Sequence, residues 1–180
     1  MSDYRYALPQ MQSVRDGETR YFSRGDAKIM REILARVQSE GAIKLRHLDQ
    51  KNKTEKSGWW NFGPVRRAVE QLYMQGDLMI VERHGMEKVF DLTERMLPSK
   101  LDLTMPTFYE QALYLFNTTL RAHGVVTWKQ LVHLRRGKAI REAMRQVIME
   151  HLDAGIIIEQ RNEVGEVFYI AIEQIGRAHV

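Results

Sequence analysis

Two short stretches concentrate positive charge. Residues 44–67 carry Lys44, Arg46, Lys51, Lys53, Lys56, Arg66 and Arg67 against only Asp49 and Glu55. Residues 129–145 carry Lys129, Arg135, Arg136, Lys138, Arg141 and Arg145 against Glu142 alone. The whole chain has a formal charge of +4, so everything outside these stretches is net acidic. Cations gathered in this way suit a polyphosphate partner, because each phosphate contact releases a condensed counterion and ties affinity to salt. A uniformly solvated surface needs no such segregation. For any single residue among them, an ordinary solvated helix face is the plainer account.

Other chemistries are excluded or thin. The chain has no Cys, which removes disulfides, thiolate metal ligands and a Cys nucleophile together, and suits a reducing cytoplasm. Its six His, at positions 47, 84, 123, 133, 151 and 179, form no HExxH or comparable ligand spacing, so no metal or other cofactor is expected. There is no GxSxG and no Gly-rich phosphate loop. The residues alone make no active site. Trp59 and Trp60 suit either stacking on a base or packing a loop onto the core, and core packing is the expectation. The ten Met fall at helical spacing and read as core filler.

The elements that carry the basic residues repeat. With 180 residues, 44% hydrophobic and 28% charged, the chain suits one domain or two small ones and is not disordered. No apolar run reaches the ~18 residues of a membrane helix, and MSDYRYALPQ holds no signal-peptide core. From Asp26, a plausible N-cap, Ile29, Met30, Ile33, Leu34 and Val37 recur at helical spacing until Gly41. A short AIKLRHL segment and a polar loop follow. Gly63-Pro64 then opens a helix burying Val65, Ala68, Val69, Leu72 and Tyr73 and ended by Gly76. LMIVER and VFDLT flank a Gly-containing turn as a hairpin.

The second copy keeps the order. Thr107 to about His123 is a helix with Ala112, Leu113, Leu115, Phe116 and Leu120, broken by Gly124. VVTWKQLVHL gives a short strand and a short helix, and residues 135–137 turn. Lys138 to about Asp153 is the long helix, with Ile140, Met144, Val147, Ile148 and Leu152 inward. Gly155 ends it, and IIIEQ and VFYIAI close a second hairpin. Helix, short strand, helix, turn, helix, hairpin is the winged-helix order, a variant of helix-turn-helix.

In that fold the third helix enters the major groove and the hairpin wing touches flanking backbone. Lys138, Arg141 and Arg145 form one stripe at i, i+3 and i+7, with Arg135 and Arg136 in the turn before it. In the first copy Arg66, Arg67 and Gln71 lie outside the apolar face, and the first wing adds Arg83, His84 and Lys88. The second wing, with Arg161, Glu163 and Glu166, is net acidic and suits phosphate poorly. A winged helix also serves as a protein-interaction module, and that alternative stays open.

The stretch from Ser57 to Pro98, SGWWNFGPVRRAVEQLYMQGDLMIVERHGMEKVFDLTERMLP, together with DYRYALPQM, resembles the bacterial AlkZ-like winged-helix DNA glycosylases. The Gly-Trp-Trp, Val-x-Glu-Arg, Asp-Leu-Thr-x-Arg and Met-Leu-Pro elements carry the resemblance, which covers most of the chain. It implies a tandem winged-helix scaffold around damaged duplex DNA. The implied activity is that of a monofunctional glycosylase, hydrolysing the N-glycosidic bond of crosslinked or bulky alkylated bases without metal or covalent intermediate. The family's catalytic element is a Gln-x-Gln or Gln-x-Asp pair that positions the attacking water, in a leucine- and asparagine-containing context N-terminal to the matching stretch. Gln10-Met11-Gln12 has the letters but sits in the Arg-Tyr-Ala-Leu-Pro stretch, so no catalytic residue is carried over. The expectation is an internal portion of a longer enzyme, inactive alone.

The expected fold is therefore α+β, mainly helical, with two tandem winged helices. Residues 1–25 form part of an incomplete domain, 26–98 and 107–173 the winged helices, and 99–106 a linker. Residues 174–180 are expected to be an adapter-derived tail, since Gln174-Ile-Gly-Arg-Ala-His-Val180 is what a common sequencing-library adapter encodes in one frame. The expected partner is double-stranded DNA, bound by a cytoplasmic, nucleoid-associated monomer through Arg66, Arg67, Arg83, Lys88, Arg135, Arg136, Lys138, Arg141 and Arg145. The alternatives are a stand-alone transcription regulator, which would want a dimer and a palindromic site, and the protein-interaction module.

Overall fold

The structure, a computed structural model, describes residues 3–18, 24–48, 63–135 and 137–175, with side chains up to residue 173. Trp59, Trp60, Arg136 and the tail from residue 176 lie outside the described residues. The fold is α+β, and the chain divides into two compact units, Met1–Thr104 and Met105–Val180. No helix among the described residues is long and apolar enough to cross a membrane.

In the first unit a 3-10 turn (Tyr4–Ala7) leads into α1 (Leu8–Arg15), α2 (Ala27–Glu40), β1 (Ile43–Lys44), α3 (Leu45–Leu48) and α4 (Pro64–Met74). The hairpin strands β2 (Leu78–His84) and β3 (Glu87–Leu92) and the short α5 (Thr93–Met96) complete it. The strands form one antiparallel sheet in the order β1-β3-β2. Leu78 to Ile80 face Leu92 to Phe90 in step, and the register then slips by one residue between Ile80 and Glu82. Ile33 and Val37 of α2, Val65, Ala68, Val69 and Leu72 of α4, and Ile43, Leu78, Phe90 and Leu92 of the sheet make one core. The buried face expected for α4 needs one correction. Tyr73 is 38% exposed and only turns its ring edge to Phe90, at 6.3 Å between centroids. It lies one position beyond Leu72, at the rim of the apolar stripe.

Two motifs of the sequence are structural. The Asp91-Leu92-Thr93-Glu94-Arg95 segment aims the Arg95 guanidinium at the C-terminal end of α2, where it donates to Val37 O at 3.1 Å and Gln38 O at 2.6 Å. Asp91 steadies it at 3.0 Å. The last carbonyls of a helix run short of intrahelical donors, so this side chain satisfies Gln38 O, adds a second donor to Val37 O beside the Gly41 N–H, and meets the negative end of the helix dipole. At the N-terminus of α2, Asp26 Oδ1 accepts from the N–H groups of Lys28 at 2.8 Å and Ile29 at 3.1 Å.

The N–H donors of Ile29, then Lys28, hold the Asp26 carboxyl below its ordinary range. A carboxyl depressed in the folded state contributes stability above its unfolded value and loses it as pH falls through the folded value. The unfolding midpoint of Asp26→Ala is therefore expected to lie below that of the parent at neutral pH, and the gap to close in strong acid. A thermal unfolding series against pH checks this; a gap that stays constant into strong acid contradicts it.

The second unit repeats the plan. It comprises α6 (Phe108–His123), β4 (Val125–Thr127), α7 (Trp128–Leu131), α8 (Lys138–Asp153), β5 (Ile157–Arg161), β6 (Val167–Ala171) and α9 (Ile172–Ile175). Its sheet has the corresponding order, β4-β6-β5. Thr107 opens α6 with a reciprocal capping box to Glu110, and Thr127 opens α7 with another to Gln130. The core joins Ala112, Phe116 and Leu120 of α6 to Ile140, Ala143, Met144, Val147 and Ile148 of α8, with Val126, Leu131, Val132 and Ile157 closing it. Leu113, Leu115 and Leu152 pack at its edge. Tyr109 OH donates to Glu150 Oε2 at 2.5 Å, tying α6 to α8 and pushing the tyrosine pKa up.

The long helices of the two units end alike. After α4, Asp77 N–H donates to Leu72 O and Gly76 N–H to Tyr73 O; after α8, Ile156 N–H donates to His151 O and Gly155 N–H to Leu152 O. Gly76 at φ +85° and Gly155 at φ +64° occupy the left-handed position that this exit requires. Both exits deliver the chain into the first strand of a hairpin.

Candidate nucleic-acid interface

The outer face of α8 carries the clearest array of cations. Burial of Ile140, Ala143, Met144, Val147 and Ile148 turns Lys138, Arg141 and Arg145 to solvent. Lys138, 89% exposed, reaches Glu142 at 3.5 Å. Neither Arg141 nor Arg145 has a carboxylate partner among the described residues. Arg145 instead lies over the indole of Trp128, 5.0 Å from the ring centroid. Arg135, in the turn ahead of the helix, is half-buried. Helical periodicity thus delivers these residues where the sequence places them, and Trp128 is the residue that sequence reasoning passed over. The Thr127-x-x-Gln130 capping signature is legible and fixes Trp128 as the first residue of α7. Its meeting with Arg145 is a tertiary event that spacing does not announce.

The corresponding helix of the first unit is less free. Arg66 Nε donates to Glu70 at 3.2 Å on its own helix, and Arg67 is half-buried. Gln71 is not an outward residue as its spacing suggests. Its Oε1 accepts the Gly25 N–H at 2.7 Å, and its Nε2 donates to Gln75 Oε1 at 3.3 Å. The buried Gln75 side chain donates onward to Asp77 Oδ2. Asp77 Oδ1 and Gln75 O in turn both accept from Arg15 of α1, at 2.9 and 3.0 Å. The chain approaching α2 therefore lies along α4: a Cβ on Gly25 would fall 2.8 Å from Ala68 Cα. Amphipathic spacing showed that Gln71 was outside the apolar stripe, but not that another segment would cover it.

Among the described residues, the other two cations of the first basic stretch are also engaged. Arg46 and Lys44 both meet Glu87, at 3.2 and 3.9 Å. On the first hairpin, Arg83 of β2 stands directly opposite Lys88 of β3. Both are exposed, and neither has an anionic partner among the described residues. Like charges directly opposed across strands oppose pairing, so this placement favours an anion between them. His84 pairs with Glu82 at 3.1 Å. On the second hairpin Arg161 pairs with Glu159 at 3.1 Å while Glu163 and Glu166 are exposed, so its arginine is neutralised and the hairpin is net acidic.

Gln10 and Gln12 both lie on α1, where residues two apart point to different faces. Gln12 Nε2 donates to Asp16 Oδ1 at 2.9 Å.

The family model described as DNA glycosylase AlkZ-like matches residues 1–178, nearly the full length and both units. The Asp-Leu-Thr-x-Arg segment that caps α2, the doubled helix-and-hairpin plan and the match together establish that the chain belongs to the AlkZ-like DNA glycosylase family.

Proposed function

We propose that this chain supplies the duplex-gripping scaffold of a DNA-repair glycosylase that hydrolyses N-glycosidic bonds of crosslinked or alkylated bases. Its two units act as winged helices, residues 26–98 and 107–173, with α4 and α8 as their third helices and the two hairpins as wings. The observation that carries this reading is the outer face of α8, where Arg141 and Arg145 stand exposed without carboxylate partners on a helix packed to a separate core. Two further cations without carboxylate partners, Arg83 and Lys88, sit on the first wing. Lys138 and Arg135 extend the α8 stripe, and Arg136, next to Arg135 in sequence, is counted with them. Arg66 and Arg67 contribute less, because α4 spends part of its polar face on Glu70 and Gly25. Contacts of this kind neutralise phosphates and carry no sequence information themselves.

Binding of the full chain to an undamaged, fluorescently labelled duplex should therefore be sequence-tolerant and strongly salt-dependent. The plot of log affinity against log salt is expected to be linear with a slope of about −3 to −4, for the cations without carboxylate partners on α8 and the first wing. Affinity that ignores salt, or no affinity, favours the protein-interaction module. A dimer selecting a palindromic site favours a transcription regulator.

A further inference from the structure

We infer that Trp128 is a positioning residue for DNA binding: its indole face is a platform that holds Arg145 ready for a backbone phosphate. This inference rests on the α8 reading above and deepens it. Three observations carry it. The guanidinium carbon of Arg145 lies 5.0 Å from the Trp128 ring centroid, within cation–π range. The ring is itself fixed, because Trp128 lies within the Thr127–Gln130 capping box and packs on the second core. Among the described residues nothing acidic holds Arg145; Glu142, the carboxylate one turn before it, is engaged by Lys138 at 3.5 Å.

A free arginine on a helix surface samples many rotamers and surrenders that freedom when it grips a phosphate. Stacking on an indole surrenders part of it beforehand. The planar guanidinium keeps its N–H fork at the edge while its face rests on the ring, so stacking and bidentate phosphate contact are compatible. A carboxylate partner would also order the side chain, but would cancel the charge that the phosphate needs. Arg141, one turn earlier on the same face, has no such platform among the described residues.

The test is a double-mutant cycle on the full chain, read as affinity for a labelled undamaged duplex at low salt. Arg145→Ala is expected to weaken binding about tenfold, and Trp128→Leu, which keeps an apolar plug on the core, about threefold. The double variant should bind like Arg145→Ala alone, and Trp128→Phe should recover most of the loss. Arg145→Lys provides a readout that leaves the core untouched: it keeps the charge, so the salt slope should hold while affinity drops about threefold. If Arg145→Ala weakens binding but Trp128→Leu has no effect, or adds its full effect on top of Arg145→Ala, the platform is overturned while the α8 reading stands. Should Arg145→Lys bind as well as the parent, the platform is likewise overturned. If Arg145→Ala binds like the parent, the α8 reading itself falls.

Discussion

Reversing Arg141 and Arg145 together to glutamate is expected to lower affinity for undamaged duplex at low salt about 100-fold and to reduce the salt slope by about 2. Both side chains are exposed and neither holds a carboxylate, so the folded unit loses only the stack on Trp128. Surface changes of this kind typically alter stability by no more than about 0.5 kcal/mol. The loss therefore belongs to DNA and not to unfolding, and a thermal scan alongside the titration separates the two. Arg66→Glu is the internal comparison, because Arg66 already spends its charge on Glu70. An unchanged salt slope in the double reversal discards the α8 face.

Phe116→Ala is the change expected to damage the second unit most. The ring is fully buried at the centre of the α6–α8 core and sits 4.7 Å from the imidazole of His151. Truncating a buried Phe leaves a cavity that surrounding helices fill only in part, at a cost of about 3–5 kcal/mol. Against a total of roughly 5–15 kcal/mol for a typical domain, that is a large share. Urea unfolding should show the loss, and amide exchange should accelerate first in peptides from α6 and α8. Phe116→Leu, nearer in volume, is expected to cost less than half as much. Equal stability of parent and alanine variant contradicts the packing described for Phe116.

Local grammar was the part of this structure most legible in the sequence. Asp26 as cap, Pro64 in the first turn of α4, Gly76 and Gly155 at the exits and the 3.6-residue apolar rows all act within a few residues of themselves. So do the outward directions of Arg141 and Arg145, which follow from the buried face of α8 alone. Illegible were the partnerships between residues distant in sequence. Arg95 reads as one more cation until it is seen capping α2, 57 and 58 residues away. Gln71 reads as a residue outside the apolar face until Gly25 is seen lying on it, 46 residues back. Trp128 draws no notice in the sequence until Arg145 comes to rest on it. In each case periodicity gives the direction of a side chain, and only tertiary packing says what waits there.

The slip of register in the first hairpin has an electrical consequence. Had β2 continued past Ile80 in step with Phe90, Val81 would face Val89, Glu82 would face Lys88, and Arg83 would face Glu87. Glu82 and Arg83 would then each meet an opposite charge, and the outer half of the ribbon would neutralise itself. One extra residue, accommodated as a β-bulge, moves the outer half along by a single place. Glu82 now faces Val89, and Arg83 is left against Lys88. The composition of the hairpin is unchanged, yet its tip turns from a closed set of ion pairs into an electrode. Removing Val81 would straighten the strand yet leave Arg83 against Lys88, because the outer half already keeps the register of a strand one residue shorter.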